Sequence, residues 1–256
     1  MKYILFFTLL LVLSCDSPKK EKKKEIPAPV EEVIKATEEE DIKVEKTVVP
    51  VKDYSKELVV VLKYAQNSDE ALSLLKNSSL QWKDSNYDSK VTKIGVVTLP
   101  DTDRQTWIQR LKESGAFKLV SKNEEGAIDN AIIEEEKILI TLSKTACFGD
   151  CPVYEVTIDK NGNLVFNGIQ YVKEEGIQTF KLSENELKTL KNKLDKKDFN
   201  NFKNVYDDPE IMDLASTYIT YNNKQVKIRL WKDLPDELIE VHEYIGDLLY
   251  KRKFLE

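Results

Sequence analysis

The side chains able to do chemistry in this chain are scarce and unevenly placed. Among 256 residues there are three cysteines and one histidine, and two of the cysteines, Cys147 and Cys151, stand four positions apart in the stretch TACFGDCPVYEV. Three chemistries use such a pair. A disulfide would clamp a short loop. A reactive dithiol would work through its thiolate, the nucleophilic form of the group. Two thiolates with an imidazole would suit a soft ion such as Cu(I), and His242 is the one imidazole the chain offers. A structural zinc needs four ligands, which two thiols and one histidine do not supply, so no zinc site is expected. The acidic loop DDPEIMD at residues 207–213 has carboxylates that could take a cation, but acids beside a proline ordinarily form turns.

The third cysteine belongs to a different device. The chain opens MKYILFFTLLLVLSCDS, with one lysine, an apolar run over residues 3–13 interrupted only by Thr8, then Ser14 and Cys15. That run is too short for a permanent membrane helix, and its place after a basic start is that of a secretory signal. The ending Val12-Leu13-Ser14-Cys15 resembles the lipobox of bacterial lipoproteins. The resemblance implies that residues 1–14 are a signal peptide and that Cys15 becomes a new N-terminus carrying palmitate-type acyl chains. Several chains together anchor durably where one would not. It places the protein in the bacterial cell envelope, anchored to a membrane at its periplasmic face or at the cell surface. Asp16, directly after the cysteine, resembles a retention signal for the inner membrane in some bacteria. With Cys15 acylated, an odd three cysteines become one anchor and one pair.

Residues 15–53 read as a flexible tether. They are rich in Lys and Glu, carry Pro18, Pro27, Pro29 and Pro50, and lack aromatics, so they cannot bury enough apolar area to offset the entropy of ordering. Such a chain spans on the order of 35 Å on average and about 130 Å fully drawn out. Its mixed-sign runs, KKEKKKE and TEEED, read as solvated. Loss of Lys2 with the signal leaves 38 basic residues against 45 acidic, a net charge of −7 in place of −6. Nucleic-acid binding needs a basic footprint and is excluded as a partner class. No Gly-rich phosphate loop is present among the eight glycines.

The rest of the chain is expected to be α+β, in two domains. Residues 54–126 give the order βαββαβ: an apolar strand at 58–62, a helix opened by Ser68 with Ala71, Leu72, Leu74 and Leu75, and a weak strand at 80–82. A strong strand ended by Pro100, a helix through Trp107, Ile108 and Leu111 closed by Gly115, and a strand in AFKLVSK follow. That is the ferredoxin-like split arrangement. This region resembles the prodomain-like inhibitor modules of subtilisin-type proteases, which share the order and a VVLK-like first strand. The resemblance implies protease inhibition as an alternative function, although the fold alone does not dictate activity.

Residues 127–136, acidic, are expected to be a linker, and 137–256 a second domain. In it Ile138, Ile140 and Leu142 alternate with polar positions, as do Tyr154, Val156 and Ile158 beyond the cysteine loop. DKNGN at 159–163 separates two such runs, with Asn161-Gly162 expected to supply positive φ angles. It is not a calcium loop, since Gly162 falls two positions early and Gln170 stands where the closing Glu belongs. Strands near 164–166, 169–172 and 177–182 follow. Ser183 and Glu186 then make a capping box for a helix with Leu187, Leu190 and Leu194. Phe199, Phe202, Val205 and Tyr206 anchor the chain's return. A hairpin turns about Asn222-Asn223, and a last helix from Pro235 buries Leu238, Val241, Ile245, Leu248 and Leu249. An antiparallel sheet with its helices on one face is the expected form.

Cys147-Phe148-Gly149-Asp150-Cys151-Pro152-Val153-Tyr154, the hairpin after it, residues 199–206 and the Leu234-Pro235 helix start together resemble an uncharacterised domain of bacterial envelope lipoproteins. Its signature is Cys-Phe-Gly-x-Cys-Pro-x-Tyr. The resemblance covers roughly residues 137–249 and implies location and boundaries but no mechanism. In an oxidising envelope two cysteines this close join if geometry permits, with Gly149 relieving the loop's backbone and Pro152 stiffening its exit. The redox alternative lacks the Cys-x-x-Cys spacing and βαβ context of thioredoxin-like sites. The copper alternative resembles cytochrome oxidase assembly factors in spacing, but His242 falls beside the apolar stripe of the last helix. No nucleophile-elbow pattern surrounds any serine, so the residues point away from an enzyme, and no cofactor is expected. The reading is an envelope lipoprotein serving as a binding or structural module. Phe148, Gly149, Asp150, Pro152 and Tyr154 form its candidate binding loop, and an envelope protein or other envelope component is its partner.

Overall fold

The computed structural model describes residues 52–64 and 68–255. The expected signal peptide, Cys15 and the expected tether up to residue 51 lie outside the described residues.

Strand β1 (Glu57–Leu62), helix α1 (Ser68–Asn77), strands β2 (Gln81–Asp84) and β3 (Ile94–Thr98), helix α2 (Arg104–Glu113) and strand β4 (Phe117–Lys122) build the first sheet. Its strand order is β2-β3-β1-β4, with every neighbouring pair antiparallel. Local chemistry sets the helix ends: the Asp103 carboxylate accepts from the Thr106 N–H at the start of α2, and Gly115 turns the chain after it at φ +69°. Leu58, Val60 and Leu62 on one face of β1 pack with Ala71 and Leu75 of α1 and Ile108 and Leu111 of α2.

The opposite face of β1 explains a departure from expectation. The stretch read as a linker, 127–136, is helical: α3 runs Ala127–Lys137. Val59, Val61 and Ile94 form a second small core with Ala131, and Ala127, Ile128 and Ile132 pack against it. A strand apolar at five successive positions, Leu58 to Leu62, must be covered on both faces. The stripe Ala127, Ile128, Ala131, Ile132 has helical spacing and supplies that cover, while Glu134, Glu135 and Glu136 conceal it in the composition.

The second sheet follows without a break. It comprises β5 (Ile138–Lys144), β6 (Val153–Asp159), β7 (Asn163–Gln170), β8 (Gly176–Lys181), β9 (Val205–Tyr206), β10 (Thr217–Tyr221) and β11 (Lys224–Ile228), in the order β8-β7-β6-β5-β10-β11-β9. Helix α4 (Glu184–Leu194) falls between β8 and β9, and α5 (Asp236–Lys251) closes the chain. The sheet is mixed rather than wholly antiparallel, because the two residues of β9 pair parallel to β11. The two short strands expected at 164–166 and 169–172 are one strand, β7, continuous through Gly168 because a glycine alone fits there: an added Cβ would lie 2.0 Å from the Glu174 carbonyl oxygen. The hairpin between β6 and β7 takes positive φ at Gly162 only, not at Asn161, and the Asp159 carboxylate accepts from the N–H groups of Asn161 and Asn163. Its three-residue loop with glycine in the left-handed position is the form favoured after two-residue turns. Asn222 and Asn223, at φ 49° and 58°, make the tight turn between β10 and β11.

The main core lies between this sheet and helices α4 and α5. Ile140, Leu142, Val156, Ile158, Leu164 and Phe166 from the strands meet Leu190, Leu194, Leu238, Val241, Ile245 and Leu248 from the helices. Each such side chain contributes about 1.5–3 kcal/mol when fully buried. The capping box at Ser183 and Glu186 is formed in both directions, and Arg252 donates to both Glu186 carboxylate oxygens at 2.9 and 3.0 Å, tying the start of α4 to the end of α5. Altogether the chain is a mixed α+β protein.

Candidate functional site

The loop of residues 145–152 joins β5 to β6 and is held at both its base and its middle. At the base, the Thr145 N–H donates to the Ser216 carbonyl and the Ser216 N–H donates to the Thr145 hydroxyl, each at 2.9 Å. In the middle, Cys147 and Cys151 form a disulfide across a Cα separation of 5.8 Å, within the range such a bond requires. Gly149 sits at φ +149°, which residues with a Cβ rarely adopt. The Phe148 N–H donates to the Asp213 carbonyl at 3.2 Å, linking this loop to the acidic one.

The candidate loop residues separate into two groups. Phe148 is 89% exposed, Gly149 and Asp150 are exposed, and Pro152 is half-buried. Tyr154 is not part of that surface: it is buried on the helix-covered face of β6, with its ring 5.7 Å from that of Phe166. Strand alternation decides this, since Tyr154 shares its face with Val156 and Ile158. Burial, with Tyr250 nearby, pushes its hydroxyl up to about 12.

The acidic loop behaves as a turn. The Asp208 carboxylate accepts from the Glu210 N–H, and Asp207 is paired with Arg229 at 3.1 Å. Arg229 also donates to the Ile211 carbonyl. The apolar side chains that sequence reading passed over here are exposed: Met212 at 75%, with Ile211 and Leu214 beside it in the chain. An apolar Ile-Met inside an acidic run is the signal that marks them.

His242 lies against Trp231, ring centroids 4.4 Å apart, with Nε2 buried and without a hydrogen-bond partner. Burial, then the charge of Lys144, pushes its pKa down to about 4. It is therefore a neutral imidazole packed at the side of α5. The cysteine sulfurs are spent in their mutual bond, and the described residues include no group of three or more His, Cys, Asp or Glu placed to hold a metal ion. No described helix is long and apolar enough to cross a membrane.

A second feature had no sequence motif to announce it. A cleft of about 580 Å³ opens between the first sheet with α3 and the uncovered face of the second sheet. Two polar clasps join its walls. Glu155 accepts from the Tyr64 hydroxyl at 2.9 Å and pairs with Lys63 at 2.8 Å, and the Asn223 side chain accepts from the Ser89 hydroxyl and the Lys90 N–H.

No curated protein and no solved structure matches the chain. The family comparison does match over the second sheet and its helices, and the boundaries agree with the start of β5 and the last turn of α5. Residues 138–249 match the family model of a domain of unknown function (DUF6438).

Proposed function

We propose that the protein is an envelope lipoprotein, held to a membrane through acylated Cys15, that acts as a binding module and presents its disulfide-clamped loop to an envelope protein. The observation that carries this reading is Phe148, a large aromatic left 89% exposed at the tip of a loop whose shape the Cys147–Cys151 bond restricts. Burying such a ring in a partner pocket is worth about 1.5–3 kcal/mol. A side chain on a preorganised loop also surrenders little entropy on docking. Met212, 75% exposed, directly precedes the residue whose carbonyl accepts from the Phe148 N–H, and aromatic and methionine side chains are typical of interface centres. The tether of residues 15–53 would give the loop its reach from the lipid surface. Within this reading the first sheet is a ferredoxin-like spacer or docking domain. Its order β2-β3-β1-β4, with α1 and α2 as the crossovers, supports that assignment.

The test has two arms. Palmitate label is expected in the wild type and absent from Cys15→Ala, which should leave the membrane fraction. A photo-crosslinking residue at position 148 in intact envelopes should give a discrete adduct that one at exposed Glu184 does not, and that weakens in Cys147→Ser/Cys151→Ser. An unlabelled soluble mature protein, or identical adducts from both positions, would overturn the proposal.

A further inference from the structure

The uncovered face of the second sheet carries an ordered row of hydroxyls. Thr141 of β5 stands opposite Thr220 of β10 on one side and Thr157 of β6 on the other, so three threonines cross three adjacent strands. Strand spacing of about 4.8 Å sets their interval. Gln225 of β11 stands opposite Thr220 and donates to its hydroxyl at 2.9 Å. In the next row on the same face Ser143 stands opposite Glu155. These residues floor the cleft of about 580 Å³, a volume within the range of about 300–1,000 Å³ common to small-molecule sites.

The walls narrow the chemistry of what fits. Lys63 is paired with Glu155, and Lys118 with Glu135, which also accepts from the Thr92 hydroxyl. With Lys160, Asp88 and Glu136 also in the lining, its formal charge is three positive to four negative. A slightly acidic cleft whose two paired lysines are already occupied is a poor host for phosphate or carboxylate. Hydroxyls and amides on its floor are equally unsuited to an apolar ligand, because burying them without partners is unfavourable. Tyr64 and Tyr87 add aromatic rings to the lining. The Tyr87 hydroxyl, pushed up by burial and by Glu136 and Glu135, stays a proton donor.

We propose that this cleft is a binding site for a neutral, polyhydroxylated ligand, a short oligosaccharide segment. The Thr141, Thr157 and Thr220 hydroxyls exchange hydrogen bonds with its hydroxyls while a tyrosine ring lies against its C–H face. The site is separate from the disulfide loop and does not depend on the reading given for that loop. The test is calorimetric and NMR titration of the mature full chain in detergent with tetrasaccharides of the cello, malto and chito series, alongside inorganic phosphate and an acidic tetrapeptide. At least one tetrasaccharide should bind and move the backbone amide signals of Thr141, Thr157 and Thr220. Thr141→Val/Thr157→Val, which preserves side-chain shape, should weaken it about tenfold. Thr179→Val, in the same row on β8 but outside the cleft, should not. Shifts confined to other residues, tighter binding of phosphate or peptide, or binding of none of these probes would each overturn the proposal.

Discussion

Removal of the Cys147–Cys151 bond is the sharpest test of what the signature loop does. The bond joins residues four apart, so the chain-entropy relation gives a stabilisation of about 2 kcal/mol. The native loop keeps its other attachments in Cys147→Ser/Cys151→Ser: Thr145 to Ser216 in both directions at 2.9 Å and Phe148 to Asp213 at 3.2 Å. The loss should therefore be felt through the unfolded chain, with secondary structure unchanged. For a body of this size about 2 kcal/mol corresponds to a fall in Tm of roughly 4–8 °C. Urea unfolding followed by far-UV circular dichroism should show a lower midpoint with an unaltered m value, because so small a loop hardly changes the surface exposed. A loss above about 4 kcal/mol, or a changed native spectrum, would refute the reasoning by making the bond a support of the core. No loss at all would mean that the unfolded chain lacking the bond is as restricted at this loop as the unfolded chain that has it.

Two further outcomes follow from burial. His242, at about 4 in place of 6.5, binds fewer protons folded than unfolded. Its contribution is full above pH 6.5 and lost as pH falls toward 4, by about 3 kcal/mol. His242→Phe, which keeps a ring against Trp231, should flatten the stability profile across that window relative to wild type, and parallel profiles would refute the assignment. Gly168→Ala places a Cβ 2.0 Å from the Glu174 carbonyl oxygen and should cost about 3 kcal/mol. Gly176→Ala, at φ +81° with open space around it, should cost about 1 kcal/mol of backbone strain. Thermal melts giving equal losses would show that Gly168 is not held by close approach.

Short-range chemistry was legible in the residues alone. The Ser183–Glu186 capping box, the Asn222-Asn223 turn, the buried stripe of α5 and the alternation of β5 and β6 each depend on side chains a few positions apart, where spacing translates directly into a shared face. The cysteine pair belongs to the same class, since a four-residue separation can close only on itself. Most of the features missed needed a partner remote in the chain. The apolar stripe of α3 has meaning only beside the back of β1 and β3, and without that face its glutamates read as a linker. Gly168 is required by a carbonyl in the loop folded over it, and β9 runs parallel to β11 because the chain returns from α4 on that side.

The division is sharpest at the two surfaces proposed for binding. The residues alone pointed to the α+β class, most element positions and a loop that the cysteine pair could clamp, because each follows from local periodicity or from near neighbours in the chain, whereas the exposure of Phe148 is read from the folded structure. Tertiary structure decided that Tyr154 leaves that surface for the core and that His242 is a packed, neutral ring. It also brought Thr141, Thr157 and Thr220, from three separate strands, into one row across a cleft. Register between strands is a non-local quantity, set by which faces must be buried together, and no spacing along the chain contains it.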